Sequence, residues 1–241
     1  MGNLAAKSRA FFVTGTDTEV GKTFFSVGLL HALNAKELNT AAYKPVAAGC
    51  TESTHGWQNE DALALQQTCS LDLTYAEVNP IALAEPMAPH IAAQKAADAG
   101  QAVDMSIARI QRGFSQILQK QADVVVVEGA GGWRLPLGLN EQGQQSYLSD
   151  FVGQQNLAVI LVVGMRLGCL NHAILTADSI RQHGLKLAGW VANTLDPAMP
   201  CLSENIESLK GLLNAPLIGI LPQLTSPEDV QTHLDLSCLG L

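Results

Sequence analysis

A doubly wound α/β fold on a mainly parallel sheet flanked by helices is what this sequence predicts, on three observations. Six short apolar blocks, at residues 10–14, 40–44, 123–128, 157–163, 185–192 and 217–221, are rich in β-branched or aromatic side chains and stop at turn formers. Their hydrophobicity is nearly continuous rather than alternating, as in strands covered on both faces. Between them, apolar positions recur three and four residues apart at 22–34, 61–67, 105–120, 171–183 and 203–213, so strands alternate with helices.

The first strand runs into Gly15-Thr16-Asp17-Thr18-Glu19-Val20-Gly21-Lys22-Thr23, where the first helix opens. A glycine-bounded segment between a strand and a helix is the setting of a phosphate loop. Its backbone N–H groups and the helix N-terminus offer partial positive charge, Lys22 reaches the β- and γ-phosphates, and the Thr23 hydroxyl holds magnesium. Five residues rather than four separate Gly15 from Gly21, so the loop is a variant form. A nucleoside triphosphate with magnesium is the expected ligand, on a phosphate-loop NTPase fold.

The second block closes in Lys44, followed by the small residues Pro45-Val46-Ala47-Ala48-Gly49. A cation facing the phosphates and an ordinary solvated lysine explain this feature equally. Asp61, after Asn59 and Glu60, opens a helix, where a carboxylate is equally a metal ligand or a favourable charge near the helix dipole. The third block, 123–128, ends in Glu128 and then Gly129-Ala130-Gly131-Gly132, which makes Glu128 the first candidate for a magnesium partner at the sheet edge; the bland alternative is a strand-end cap. Asn193, at the end of Trp190-Val191-Ala192-Asn193-Thr194, offers its amide either to a base edge or as a cap. His90 and His172 read first as satisfied histidines and second as substrate contacts. Segments 50–59, 84–101 and 138–145 are expected as loops over the carboxyl edge of the sheet, where ligands of such folds bind.

At 241 residues, 47% hydrophobic and 15% charged, the chain is expected to form one domain over 1–241, with flexible ends at about 1–8 and 230–241. A net charge of -8 and the lack of a Lys/Arg cluster argue against nucleic-acid binding. Five scattered cysteines, Cys50, Cys69, Cys169, Cys201 and Cys238, form no CxxC pair, so neither a disulfide framework nor a zinc site is expected. No signal peptide, myristoylation signal or membrane-length apolar run is present, and the expected location is the cytoplasm.

An ordered series carries more: GTDTEVGKT at 15–23, YKPVAAG at 43–49, NEDALAL at 59–65, AEPMAPHIAA at 84–93, VEGAGGW at 127–133, GCLNHA at 168–173 and GWVAN at 189–193. Over nearly its whole length the chain resembles the ATP-dependent dethiobiotin synthetase family. The resemblance implies ligation of carbon dioxide or bicarbonate to 7,8-diaminononanoate, with ATP as co-substrate and Mg2+ as cofactor. The route it implies runs through a carbamate and a carbamic-phosphoric mixed anhydride to dethiobiotin, ADP and phosphate. It makes Lys22 and Lys44 catalytic and gives magnesium Thr23, Asp61 and Glu128. Nucleotide contacts would come from Glu19, Val20, Gly21, Lys22, Thr23, Phe24, Asp61, Glu128, Gly129, Ala130 and Gly131, with Asn193 reading adenine beside Thr194, and Pro222, Gln223, Leu224 and Glu228 around the nucleoside. Substrate contacts would come from Thr18, Lys44, Ala48, Gly131 and Asn171. The resemblance also implies a homodimer in which the 168–173 stretch of one chain lies near the substrate of the other. Three departures stand out: Ala48 where the pattern often has serine, a longer segment at 134–145, and Gln223 where an aromatic can occur.

The rival from another class is a partitioning-type switch ATPase of the same fold. Such proteins usually carry an early lysine in the phosphate loop, and here that region is Thr16-Asp17-Thr18. Cobyrinic acid amidating ligases need a further glutamine-hydrolysing domain, for which this chain has no room.

Overall fold

The computed structural model describes residues 8–241. β1 (Arg9–Gly15) leads through the phosphate loop to α1 (Lys22–Asn34), and β2 (Thr40–Tyr43) follows. Next come β3 (Val46–Ala48), β4 (Thr51–Ser53), β5 (Gly56–Gln58), α2 (Glu60–Thr68), α3 (Tyr75–Val78), β6 (Ile81–Leu83) and α4 (Pro89–Asp98). α5 (Ile107–Gln119) precedes β7 (Val124–Gly132), β8 (Pro136–Leu139), β9 (Gln145–Tyr147) and α6 (Leu148–Gln155). The chain continues with β10 (Ala158–Met165), α7 (Cys169–Gln182), β11 (Leu187–Thr194), α8 (Leu202–Leu212) and β12 (Leu217–Leu221), then two 3₁₀ segments, Pro227–His233 and Ser237–Leu239.

The main sheet has the order β12-β11-β10-β1-β7-β2, and every neighbouring pair is parallel. Its strands fall on the six apolar blocks. Val124–Val127 and Val159–Val163 are buried, as strands with helices on both faces must be. Because β1 sits between β7 and β10, its carboxyl end, the phosphate loop, lies at the middle of the sheet edge. Lys44 leaves the end of β2 and Glu128 lies in β7 one position beyond the valine run, so three strands converge on one edge, where doubly wound folds place ligands.

The expected loops carry more structure than their composition announces. Segment 84–101, expected as a loop, contains α4, whose Pro89 occupies the first helical turn, where its missing N–H costs nothing. Segment 50–59 holds the antiparallel pair β4–β5, and 138–145 is the tip of the β8–β9 hairpin. Residues 1–7 of the expected flexible start lie outside the described residues.

The stretch 230–241 is packed rather than loose. Val230 and Leu236 are buried, and Gly219 and Leu234 face each other in an isolated antiparallel bridge in which the Asp235 N–H donates to the Ile218 carbonyl at 2.7 Å. Val230 presses on α1 at Gly28, where an added Cβ would come within 2.3 Å of the valine Cβ. Only glycine admits that approach. Among the described residues, no helix is long and apolar enough to cross a membrane.

Candidate active site

A cavity of about 1020 Å³ opens at this edge. Its walls are the phosphate loop and start of α1, Lys44 with Ala47–Gly49 behind β2, Asp61 at the start of α2, 86–89 leading into α4, the end of β7 at 130–132, and 134–136 after it. The loop reaches it through left-handed backbone at Glu19 (φ 57°) and Gly21 (φ 88°). Gly21 is also the residue before α1, with no side-chain cap, so the helix keeps its first N–H groups for a ligand. A Cβ on Gly21 would meet Asn193 Nδ2 at 2.2 Å, which leaves that position to glycine twice over.

Four charged side chains meet inside. Lys22 Nζ donates to the Asp17 carbonyl at 2.8 Å. Lys44 Nζ lies 2.6 Å from Glu128 Oε1 and 3.2 Å from Asp61 Oδ2. The Thr23 hydroxyl donates to the same Glu128 oxygen at 2.8 Å. Glu128 is wholly buried, and its Oε2 has no hydrogen-bond partner.

Electrostatics separates the two lysines. Burial brings the Lys22 ammonium down to about 8 against the partial support of Glu128. Burial pulls on Lys44 as well, but the Glu128 and Asp61 carboxylates outweigh it and hold the ammonium above its ordinary value. Lys44 is therefore held as a cation, whereas burial brings Lys22 down to about 8.

The described residues contain no group of three or more His, Cys, Asp and Glu side chains suited to a metal. That does not disqualify magnesium, which keeps waters and takes one or two carboxylates plus phosphate oxygens. Glu128, Asp61 and the Thr23 hydroxyl are hard oxygen donors around one point, and the unpartnered Glu128 Oε2 is a buried acceptor with capacity to spare. The residues fit.

Of the residues expected from sequence, Thr18, Glu19, Gly21, Lys22, Thr23, Phe24, Lys44, Ala48, Asp61, Ala130 and Gly131 line the cavity. Glu128 stands behind Lys44 and Thr23. Val20 is buried, and its carbonyl accepts a 2.9 Å hydrogen bond from Asn193 Nδ2, so Asn193 braces the loop from behind. Gly129 backs onto the Phe12 ring. Thr194 closes β11, and Pro222, Gln223, Leu224 and Glu228 follow β12 on the same edge, outside the cavity wall. Asn171 and His172 are exposed on the first turn of α7, and His90 in α4 has a buried Nδ1 without a partner.

Sequence reasoning missed several supports. Asn59 caps α2 through Ala62 N–H and offers Nδ2 to the Ala48 carbonyl, which aims Asp61 into the cavity. The capping signal was readable; the contact to Ala48 was not. Arg166, beyond β10, pairs with Asp17 and ties down the loop tip. Arg134 roots the β8–β9 hairpin: its guanidinium lies 3.6 Å over the Tyr147 ring, 3.3 Å from Ser149 Oγ and 2.7 Å from His183 Nε2. His183 Nδ1 donates to the Ser179 carbonyl, leaving Nε2 to accept from the arginine.

A parallel sheet with a phosphate loop at its centre, two lysines and a carboxylate pair around one cavity defines a phosphate-loop protein acting on a nucleoside triphosphate. A family model described as an AAA domain matches residues 9–231. The chain is 51% identical over 234 residues to the ATP-dependent dethiobiotin synthetase BioD of a Pseudomonas aeruginosa strain, covering 96% of this chain and 98% of that protein. It is 48% identical to the protein of the same name from Cellvibrio japonicus (96% and 97% covered) and 47% identical to that from Aeromonas hydrophila (96% and 99%). The chain belongs to the ATP-dependent dethiobiotin synthetase family, and with it to the ligases. Solved structures of similar shape include a ParA family ATPase from Chlorobium tepidum (TM-score 0.52, 14% identity, 98% of this chain and 90% of that one). The MinC:MinD complex of Aquifex aeolicus is another (TM-score 0.54, 13% identity, 90% and 83%). At such identity the likeness is one of fold.

Proposed function

We propose that this chain joins carbon dioxide to 7,8-diaminononanoate at the expense of ATP, forming the cyclic urea of dethiobiotin with ADP and phosphate. The observation that carries the reading is the pairing of Lys22 and Lys44 across one cavity with a buried carboxylate behind them.

One substrate amine takes up carbon dioxide as a carbamate. A carbamate oxygen is a poor leaving group, so ATP phosphorylates it to a carbamic-phosphoric anhydride. The second amine then attacks the carbonyl carbon, phosphate departs and the ring closes. Holding both amines and the γ-phosphate in one cavity contributes up to about 7–11 kcal/mol to such a step. Lys22 and Lys44 balance the charge that develops on the transferring phosphoryl group, and no protein nucleophile is needed. Thr23, Asp61 and Glu128 would hold magnesium, which would supply further charge neutralisation there. Glu19 to Phe24 wrap the phosphates; Gly129, Ala130 and Gly131 lie along nucleotide and substrate; Asn193, Thr194, Pro222, Gln223, Leu224 and Glu228 surround the nucleoside. Thr18 and Gly131 contact the substrate, and Ala48 leaves the place of a hydroxyl to water or backbone.

A homodimer completes the site, with Asn171 and its 168–173 neighbours near the substrate of the partner. Leu167, 98% exposed, and Leu175, 60% exposed, support this as an apolar patch beside that stretch. Sedimentation at micromolar concentration is expected to give two chains per particle, and a monomer would remove this part.

The decisive measurement for the reaction is ADP release with ATP, magnesium and bicarbonate, with and without 7,8-diaminononanoate, the product followed by mass spectrometry. Diamine-dependent turnover with a matching cyclic urea is expected. Steady hydrolysis indifferent to the diamine would overturn the reading in favour of a switch ATPase.

A further inference from the structure

A buried carboxylate needs a cation or a set of donors beside it. For Glu128 that cation is Lys44, at 2.6 Å, and the same ammonium reaches Asp61 at 3.2 Å. These two carboxylates, with Thr23, are also the oxygens that a divalent cation at this site needs. Glu128 Oε2 is open to a metal, but a divalent cation that reaches both Glu128 and Asp61 stands within a few ångströms of the Lys44 ammonium, where like charges repel.

The backbone of Lys44 is pinned. Its N–H donates to the Val78 carbonyl at 2.8 Å, and its carbonyl accepts from Asn79 Nδ2 at 2.6 Å. The side chain is not enclosed on every side, since Lys44 also lines the cavity, together with Ala47 and Ala48. Rotation about the four-carbon stem therefore carries the ammonium from the carboxylate pair into the space where substrate and γ-phosphate would lie, with no backbone movement.

We propose that Glu128 and Asp61 act as a holster for Lys44, holding its ammonium back from the substrate cavity until a divalent cation takes its place. The proposal rests on the reading of Thr23, Asp61 and Glu128 as metal ligands. Its consequence is an order of events: metal and nucleotide enter first, and the lysine that grips the carbamate is released by their arrival. Charge supports the exchange. Lys22, Lys44, Asp61 and Glu128 sum to zero, so an incoming dication makes the site positive, and moving the Lys44 ammonium away from the carboxylates relieves that excess.

Mn2+ alone is the probe, on the full chain treated with chelator and without nucleotide or diamine. In the wild-type protein, amine-reactive labelling read by mass spectrometry is expected to find Lys44 slow to react. Saturation with Mn2+, followed by loss of the free-ion EPR signal, is expected to raise its labelling several-fold while exposed Lys210 stays constant. Lys44→Met removes the competing charge and keeps most of the stem, so it is expected to bind Mn2+ about tenfold tighter or more. If that variant does not fold, the wild-type labelling decides alone. Lys44 labelling indifferent to saturating Mn2+, or a methionine variant that binds Mn2+ no tighter, overturns the holster. Neither assay involves turnover. A protein that exchanges Lys44 for Mn2+ and makes no cyclic urea loses the reaction reading only; one that makes the urea with an unresponsive Lys44 loses the holster only.

Discussion

β7 and β10 flank β1 on opposite sides, run parallel to it and are both rich in valine, yet they finish differently. β7 passes from Val127 to Glu128, a carboxylate in full burial. β10 passes from Val163 to Gly164 and Met165 with no polar side chain at all. The difference lies in what the neighbours deliver. Beside the end of β7, the end of β2 brings Lys44 and α1 brings Thr23, so the acid is paired and bonded. Beside the end of β10, the phosphate loop presses in directly: a Cβ on Gly164 would meet Val20 at 2.8 Å. One strand supplies charge to the site and the other supplies its rigid backing.

Breaking the charged side should have the largest effect. Glu128→Ala leaves Lys44 buried with half its partners, and loss of one member of a buried pair costs about 3–5 kcal/mol. A matching drop in the urea unfolding free energy is expected, and unchanged stability would mean that the pair is not holding the end of β7. Next comes Lys44→Gln, which should lower kcat by about 10²- to 10³-fold, as for removal of one transition-state donor. ATP affinity measured by calorimetry in the absence of divalent metal should hardly move, because the strongest interaction of this lysine is with the transferring group. Normal turnover of this variant would end its catalytic assignment.

The titration of Lys22 gives a smaller effect. Burial brings its ammonium down to about 8, and bound phosphate favours the charged form, raising it again. ATP binding therefore takes up a proton where Lys22 is neutral in the free protein. Affinity should be level below about pH 8 and fall by up to about tenfold per unit above it, until the bound-state value is reached. Calorimetry at pH 8.5 in buffers of different ionisation enthalpy should register the uptake; a flat affinity from pH 7 to 9.5 would remove Lys22 as its source. The apolar side should respond least. Ile160→Val in β10 should cost about 0.5–1.5 kcal/mol of stability and leave kcat/KM unchanged, and a fall in kcat/KM would show that β10 does more than back the loop.

The same contrast explains what could be read from the sequence. The six strands of the main sheet were legible because parallel strands buried on both faces have no choice but to be apolar throughout. The phosphate loop was legible because its parts are consecutive. Asp61 and Glu128 were individually ambiguous, since each sits where a cap or a dipole partner would also sit; their meeting on Lys44 depends on a sheet order that places β7 beside β2. The short elements β3 to β6, α3 and α6 were not readable. Each is too brief to show a period and is held by tertiary contact, as where the Asn59 N–H donates to the Tyr75 hydroxyl. The Arg134 cluster was hidden for the same reason: Arg134 lies 13 residues or more from Tyr147, Ser149 and His183, and meets them only once the hairpin has folded back.

The close fit of Val230 against Gly28 has a bearing on synthesis. α1, which carries Lys22 and Thr23, is made early, but the surface that covers it is supplied by residues some two hundred positions later. On the ribosome the helix must wait, with its glycine face bare, until residue 230 has emerged. The helix gains its lasting cover only once residue 230 can fold back onto Gly28. A chain stalled before this point would be exposed to chaperones and proteases at the very element on which ATP binding depends.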